Sequence, residues 1–264
     1  MTVPDQADQF RVRGQTSDDQ LRLLLFSGLR LDTTYEWAPA DVAEARRDAA
    51  RKALVGMLEQ ARRQSVDAIV CAGDLFNRRM IKPANVHWLA AALRSAGVPV
   101  LIAPGSGDFV GPLGGYTSYR WPANVTTFVT EQLSPFEVAD GITIWGAAHT
   151  MAHRRRSFLD GFLVDRQGIN IAVFQGIESN EPDRSGAAGP CVEMDDLAIA
   201  RSGLDHALIG HWSGPKFGNR FTCAGAPIAH TVGSGGPRGA VLVRLGVDGT
   251  VTRELVPIDS IEMH

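Results

Sequence analysis

Apolar positions follow two rhythms along this chain. Short continuous runs at 21–27 (LRLLLFS), 66–74 (VDAIVCAGD) and 98–103 have the length and composition of buried strands. Between them, Val42, Ala45, Ala49, Ala53, Met57 and Ala61 recur at helical spacing, which predicts a helix over 41–64 with Asp41 and Glu44 as a capping box. Pro83 suits a first helical position, Val86, Leu89, Ala90 and Leu93 form a second apolar stripe, and Gly97 is placed to cap it. Strand, helix, strand, helix, strand over roughly the first hundred residues is the order of a parallel sheet with right-handed crossovers.

Farther along, 125–129, 142–147, 169–174, 206–210, 219–225, 239–245 and 251–256 read as strands, the last of them separated by glycine-rich turns. Residues 1–20 lack a sustained apolar period and are expected to form a flexible tail, leaving 21–264 as one α/β domain. The stretch 179–189 is rich in Gly, Pro, Asp and Glu and reads as a loop, because another strand-like run follows it soon after. Arg154-Arg155-Arg156 lies in a connection, where a solvated face is the ordinary role and a phosphate contact the alternative. The chain shows no internal repeat.

Composition narrows the field less. With 264 residues and 44% hydrophobic content the chain can bury a full single-domain core. A net charge of -3 and a pI near 6.2 predict no bulk attraction to nucleic acid or membrane, although an acidic average is compatible with a local basic surface. Cys71, Cys191 and Cys223 are odd in number and lack metal-finger spacing, which favours packed thiols in a reducing compartment. No apolar stretch approaches the ~20 residues of a membrane span, and residues 1–20 are too polar for a signal peptide, so a cytoplasmic protein with no membrane partner is expected.

The run at 66–74 breaks into Gly73-Asp74, which places Asp74 at the end of a buried strand. Ligands of open α/β sheets bind outside the carboxyl ends of the strands, so Asp74 stands where chemistry happens; a turn closed on its own backbone is the plainer alternative. His87 and His153 read as surface residues. Ser106, Ser213, His211 and Asp74 could converge in one cleft, but no Gly-x-Ser-x-Gly elbow precedes a helix, so a Ser-His-Asp triad is not expected. The segment 233–239 (GSGGPRG) lacks the strand-to-helix context of a phosphate-cradling loop. The five tryptophans read as core or rim packing, with Trp212 the best candidate for a base-stacking platform.

Five strand ends taken together resemble a known family. Ser27-Gly28-Leu29-Arg30-Leu31-Asp32, Gly73-Asp74-Leu75-Phe76-Asn77, Gly105-Ser106-Gly107-Asp108, Val173-Phe174-Gln175 and Gly210-His211-Trp212-Ser213 stand in the order of Asp-x-His, Gly-Asp, Gly-Asn-His-Asp, a lone His after a strand, and Gly-His-x-His. These are motifs of the calcineurin-like metallophosphoesterases, in particular of the bacterial SbcD-type DNA exonuclease branch. Pro190-Cys191, Asp195-Asp196-Leu197 and Gly225-Ala226-Pro227 add to the likeness. The resemblance implies a four-layer α/β/β/α sandwich in a single domain. It also implies a centre in which two metal ions generate a hydroxide nucleophile and clamp a phosphate.

The departures from that pattern fall on the ligands. Gly28 and Arg30 stand where Asp and His belong, Ser106 and Gly107 where Asn and His belong, Gln175 for the lone His and Ser213 for the last His. Only Asp74 and His211 remain as ligand types, too few for two divalent ions, and an arginine repels a metal. Asp32, Asp108, Asn77, His149 and His230 lie near the motifs and would serve a rewired site, although Asp32 and Asp108 match positions that support the turn. The resemblance therefore implies a degenerate, non-catalytic subunit of a DNA repair or defence complex, with an SbcC-type ATPase or DNA as partner and no cofactor. The alternative is an active phosphodiesterase or nuclease using manganese or another divalent metal in a reduced site. The chain ends at His264, soon after the last expected strand, so the capping and ATPase-docking segments of that branch are not expected. Arg30 is expected to take over the metal's electrostatic role by pairing with Asp74, with Gln175 and His211 completing the network.

Overall fold

A computed structural model describes residues 20–111, 115–152, 156–179, 192–231 and 235–258. In chain order these form β1 (Gln20–Phe26), α1 (Ala40–Arg63), β2 (Ala68–Cys71), α2 (Pro83–Arg94), β3 (Val100–Ile102), β4 (Val125–Thr127), β5 (Ser134–Ala139) and β6 (Ile142–Gly146). There follow β7 (Ile169–Gln175), β8 (Ile177–Glu178), β9 (Glu193–Met194), α3 (Asp196–Arg201), β10 (His206–Gly210), β11 (Lys216–Phe217), β12 (Phe221–Cys223), β13 (Gly239–Gly246) and β14 (Val251–Pro257).

Twelve of the strands make two six-stranded sheets, ordered β14-β13-β1-β2-β3-β4 and β11-β12-β10-β7-β6-β5, and β8 pairs with β9. β1 to β4 are parallel, as the alternation of strand and helix requires, and β13 closes antiparallel on β1. Within the second sheet β6, β7, β10 and β12 are parallel, and its two edges, β5 and β11, run antiparallel.

Alternating side chains assemble the layers. Leu21, Leu23, Leu25, Ala68, Val70, Val241 and Val243 face Ile144, Ile171, Val173 and Leu208 of the second sheet. Leu24, Phe26, Ile69 and Cys71 point the other way, onto Leu54, Met57, Leu89 and Leu93 of α1 and α2. On the outer face of the second sheet, Ala172, Phe174, Ala207 and Ile209 pack with Ile199 of α3. The result is a four-layer α/β/β/α sandwich in one domain, as expected. No helix among the described residues is long and apolar enough to cross a membrane.

Several expectations shift. Gln20 belongs to β1, while residues 1–19 and 259–264 lie outside the described residues, as do His153, Arg154, Arg155, Cys191 and nearly all of the loop expected at 179–189. Helix α1 starts at Ala40 behind Pro39, whose extended backbone (φ -53, ψ 153) already sets the entry; no side chain caps it, and Asp41 sits in the first turn rather than in a capping box. Its buried stripe is Ala43, Arg46, Ala50, Ala53, Leu54, Met57, Leu58 and Ala61, one residue out of phase with the expected Val42, Ala45 and Ala49. The phase is set by Arg46, which turns inward to a backbone carbonyl and two aromatic rings. The stripe of α2 is as expected, and Gly97, at φ +71, turns the chain out of it.

Candidate functional site

The C-terminal ends of β1, β2, β3, β7 and β10 converge at one edge of the sandwich. The loops after β1 and β2 run on side by side: Gly28 N donates to Gly73 O (2.9 Å), Arg30 N to Asp74 O (2.9 Å) and Leu31 N to Leu75 O (3.1 Å). The two sheets approach closely at Gly210, where a Cβ would sit 1.9 Å from the Ala72 carbonyl oxygen, so only glycine permits the approach. Of the non-glycine residues with positive φ, Arg30, Asp32, Tyr35, Asp74 and His211 all lie on these loops. Such conformations cost energy in L residues and survive where surrounding bonds over-determine them.

Asp74, 3% exposed, is the hub. Its Oδ2 accepts from Arg30 Nε (3.2 Å) and Nη2 (3.1 Å), and its Oδ1 from the Gly107 amide (2.8 Å). Gln175 donates to the same carboxylate while its Oε1 accepts from Ser106 N (2.6 Å). Burial alone would raise the Asp74 pKa; Arg30, the Gly107 and Gln175 hydrogen bonds and the nearby His211 outweigh it and hold the carboxyl below its ordinary value. The packing is tight enough that a Cβ on Gly105 would lie 2.6 Å from Gln175 Nε2 and 2.7 Å from Asp74 Oδ1.

Asp108, fully buried, stands directly behind. It accepts from Asp74 N (3.0 Å), Leu75 N (2.7 Å), Gly105 N (2.7 Å) and the Tyr116 hydroxyl (2.5 Å). No cation reaches it among the described residues, and burial together with the Asp74 charge pushes its pKa up to about 6. Asp108 thus ties the loops after β2 and β3 to each other. Asp32 plays a related part at the rim, accepting from Arg51 Nη2 (3.1 Å) and Asn85 Nδ2 (2.6 Å) and so linking the β1 loop to both helices.

Among the candidates, Arg30, Asp74 and Gln175 meet directly, and His211, 9% exposed, lies beside them. Ser106 and Gly107 contribute backbone amides. His149 is buried behind the site, its Nε2 donating to Gln175 O (3.1 Å). His230 donates from Nε2 to Gly28 O (2.7 Å), and its Nδ1 accepts from Tyr35 (2.9 Å); burial and Arg30 depress its pKa to about 4, so the ring is neutral. Ser213 is exposed, and the Asn77 side chain accepts from Arg79 N (3.1 Å), two residues along. His87 is a surface residue, and Trp212 stacks on Phe221 of the outer layer rather than standing free. Tyr35, Arg46 and Tyr116 complete the surroundings without any signal in spacing or motif, because each acts through a side-chain contact made from a loop or helix.

These residues do not fit a two-metal centre. Gly28 and Gly107 offer no side-chain ligand, both Asp74 oxygens are engaged by the protein, and Arg30 brings a fixed positive charge to the carboxylate a metal would need. Among the described residues no group of three or more His, Cys, Asp or Glu side chains is arranged to hold a metal ion.

An uncharacterized metallophosphoesterase, YhaO of Bacillus subtilis (strain 168), is 30% identical over 170 residues, which make up 59% of this chain and 38% of YhaO, so the chain spans well under half of that relative's length. The crystal structure of TT1561 of Thermus thermophilus is similar with a TM-score of 0.51 at 12% identity, covering 89% of this chain and 98% of that one. GAP50, the anchor in the inner membrane complex of Plasmodium, is similar with a TM-score of 0.54 at 13% identity, covering 93% and 88%. At such identities the two structures speak for the fold alone. The sequence model of the calcineurin-like phosphoesterases matches residues 40–215, more than half of the chain, and the chain belongs to that family.

Proposed function

We propose that this protein is a non-catalytic phosphoesterase-fold subunit, a binding platform whose centre is held by an arginine in place of metal ions. The observation that carries the reading is the double contact of Arg30 Nε and Nη2 with Asp74 Oδ2. A guanidinium supplies the charge that a buried carboxylate needs, but it neither lowers the pKa of a bound water nor accepts a nucleophile. The setting we propose is a DNA repair or defence complex, beside an SbcC-type ATPase or on DNA. Support for that setting is the resemblance of GDLF at 73–76 and GHW at 210–212 to the SbcD-type branch.

The test is direct. After incubation with manganese, iron or zinc and desalting, the protein is expected to retain well under one equivalent of metal by elemental analysis and to hydrolyse neither DNA nor a small phosphodiester. Stoichiometric metal, with hydrolysis abolished by Asp74→Asn, would establish instead an enzyme with a reduced site built on Asp74 and His211. Purification from the native cell without an ATPase or nucleic acid would remove the proposed partners.

A further inference from the structure

We propose that the outward side of α2, with the segments 79–82 and 119–121 beside it, is a docking surface for an acidic amphipathic helix of a partner protein. The surface belongs to the helical layer, uses no residue of the Arg30–Asp74 centre and does not depend on whether that centre binds metal.

Charge is segregated along the chain. From Leu75 to Thr130 the only acidic residue is Asp108, which is fully buried, whereas Arg78, Arg79, Lys82, Arg94 and Arg120 lie in the same stretch. In a chain of net charge -3 this concentrates positive charge around α2. Arg79, Lys82, Arg94 and Arg120 are exposed, and their side chains make no ion pair among the described residues. Basic residues elsewhere do find carboxylates: Arg51 meets Asp32 and Asp48, Lys216 meets Glu178, and Arg244 meets Glu254. The one carboxylate that reaches α2, Asp32 on Asn85, is 9% exposed and already paired with Arg51.

The outward side of α2 is also unlike that of an ordinary surface helix. Val86, Leu89, Ala90 and Leu93 face the core, so the opposite side meets water and would ordinarily carry charge. On α1 it does, with Glu44, Asp48, Lys52, Glu59 and Arg62 exposed. On α2 that side holds Ala84, His87, Trp88 and Ala91, at i, i+3, i+4 and i+7, with Trp88 half-exposed and the others exposed. Rings continue the strip beyond the helix. His87 meets Tyr119 edge-on (centroids 5.0 Å), Tyr119 meets Trp121 (5.5 Å), and Asn124 Nδ2 ties this segment to the end of α2 through Leu93 O (3.0 Å).

The cations frame this strip. Lys82 is the N-cap of α2, Arg94 lies in its last turn, and Arg120 stands between Tyr119 and Trp121 in the chain. An apolar and aromatic centre with a charged margin is the anatomy of a protein interface. A duplex backbone would pair with the margin and gain nothing from the alanines, and a second copy would set cations against cations. A helix with an apolar stripe and flanking carboxylates satisfies both parts.

The experiment titrates the full chain against fluorescein-labelled model helices, read by anisotropy at low salt. The probe carries leucine at helical spacing and glutamate elsewhere; one control replaces glutamate by lysine, a second replaces leucine by serine. The expected result is that the leucine-glutamate helix binds, the lysine control does not, and the serine control binds at least about tenfold more weakly. Ala91→Glu, and separately the pair Arg79→Glu with Lys82→Glu, should each weaken binding about tenfold at wild-type melting temperature, whereas Val247→Glu, an equal charge change on an exposed turn, should not. No binding of the leucine-glutamate helix, equal binding of the lysine control, or equal weakening by Val247→Glu overturns the proposal. Tighter binding of duplex or single-stranded DNA, lost in Ala91→Glu, would assign the surface to nucleic acid instead, and a dimer in sedimentation that Ala91→Glu dissolves would assign it to a second copy; either overturns the acidic partner. Metal content and hydrolysis are separate readouts, so the non-catalytic reading and the docking surface fail independently.

Discussion

Asp74 and Asp108 sit one behind the other at the same strand ends, both buried, and are stabilised in opposite ways. Asp74 faces the cleft and is met by a cation, which holds its pKa below the ordinary carboxylate value. Asp108 faces the fold and is met by three backbone amides and a phenol, with no cation among the described residues, and its pKa rises to about 6. The contrast separates two tasks. Asp108 organises backbone and would be needed by this loop geometry whatever occupied the cleft, whereas Asp74 meets the partly exposed guanidinium of Arg30.

Removing each carboxylate's partners should expose that difference, and the largest effect is expected behind the cleft. Asp108→Ala would orphan the buried amides of Asp74, Leu75 and Gly105 together with the Tyr116 hydroxyl, so a loss of about 4 kcal/mol is expected in urea unfolding. A loss below about 1 kcal/mol would mean that the loops hold without it. Arg30→Ala should cost about 2 kcal/mol, less than a fully buried pair because the guanidinium is 34% exposed. Asp74→Asn in the Arg30→Ala background should recover part of that loss, since no uncompensated charge then remains. Additive losses in this double-mutant cycle would deny the coupling.

The smallest effect concerns pH. Asp108 has a raised native pKa, so its contribution is fully present below the unfolded value of 3.8 and is lost as pH rises through about 6. Asp74, with a lowered pKa, contributes stability above 3.8 that is lost as pH falls through its native value. His206 and His230 are pushed by burial from 6.5 to about 4; they contribute stability above 6.5 that is lost as pH falls toward 4. Between pH 6.5 and 4.5, then, Asp108 partly offsets the histidines. Asp108→Asn removes the offset, so its unfolding free energy should fall by about 1 kcal/mol more than that of wild type across the window. Parallel pH profiles would place the Asp108 pKa near its ordinary value.

Much of the fold was legible because burial imposes a period. The stripe Val86, Leu89, Ala90 and Leu93 and the alternation of Leu21, Leu23 and Leu25 follow from one face being withdrawn from water. An edge strand of the second sheet and the short α3 escaped that logic. β5 has only Val138 buried, contains Pro135 and carries an irregularity between Glu137 and Ala139, and α3, at six residues, is too short to show a period. In α1 the phase was misjudged at Arg46, since polarity suggests an outward face and the contacts with Ala229, Tyr35 and Trp37 are distant in the chain or invisible to periodicity.

At the site, the strand-end positions of Gly28, Asp74, Gly105, Gln175 and His211 could be read from motifs, since a family pattern is local in sequence. The approach of Arg30 to Asp74 was inferable from charge, because a buried carboxylate is costly without a cation beside it. The four bonds to Asp108, the tautomer of His230 and the Arg46 cation beneath Trp37 were not inferable. They depend on distances of a few ångströms that no local pattern encodes, several of them between segments far apart in the chain, such as Gly28 with His230 and Arg46 with Ala229. Periodicity determines which face a residue buries; which buried polar groups then find one another is set by the closing of two sheets and the loops at their ends.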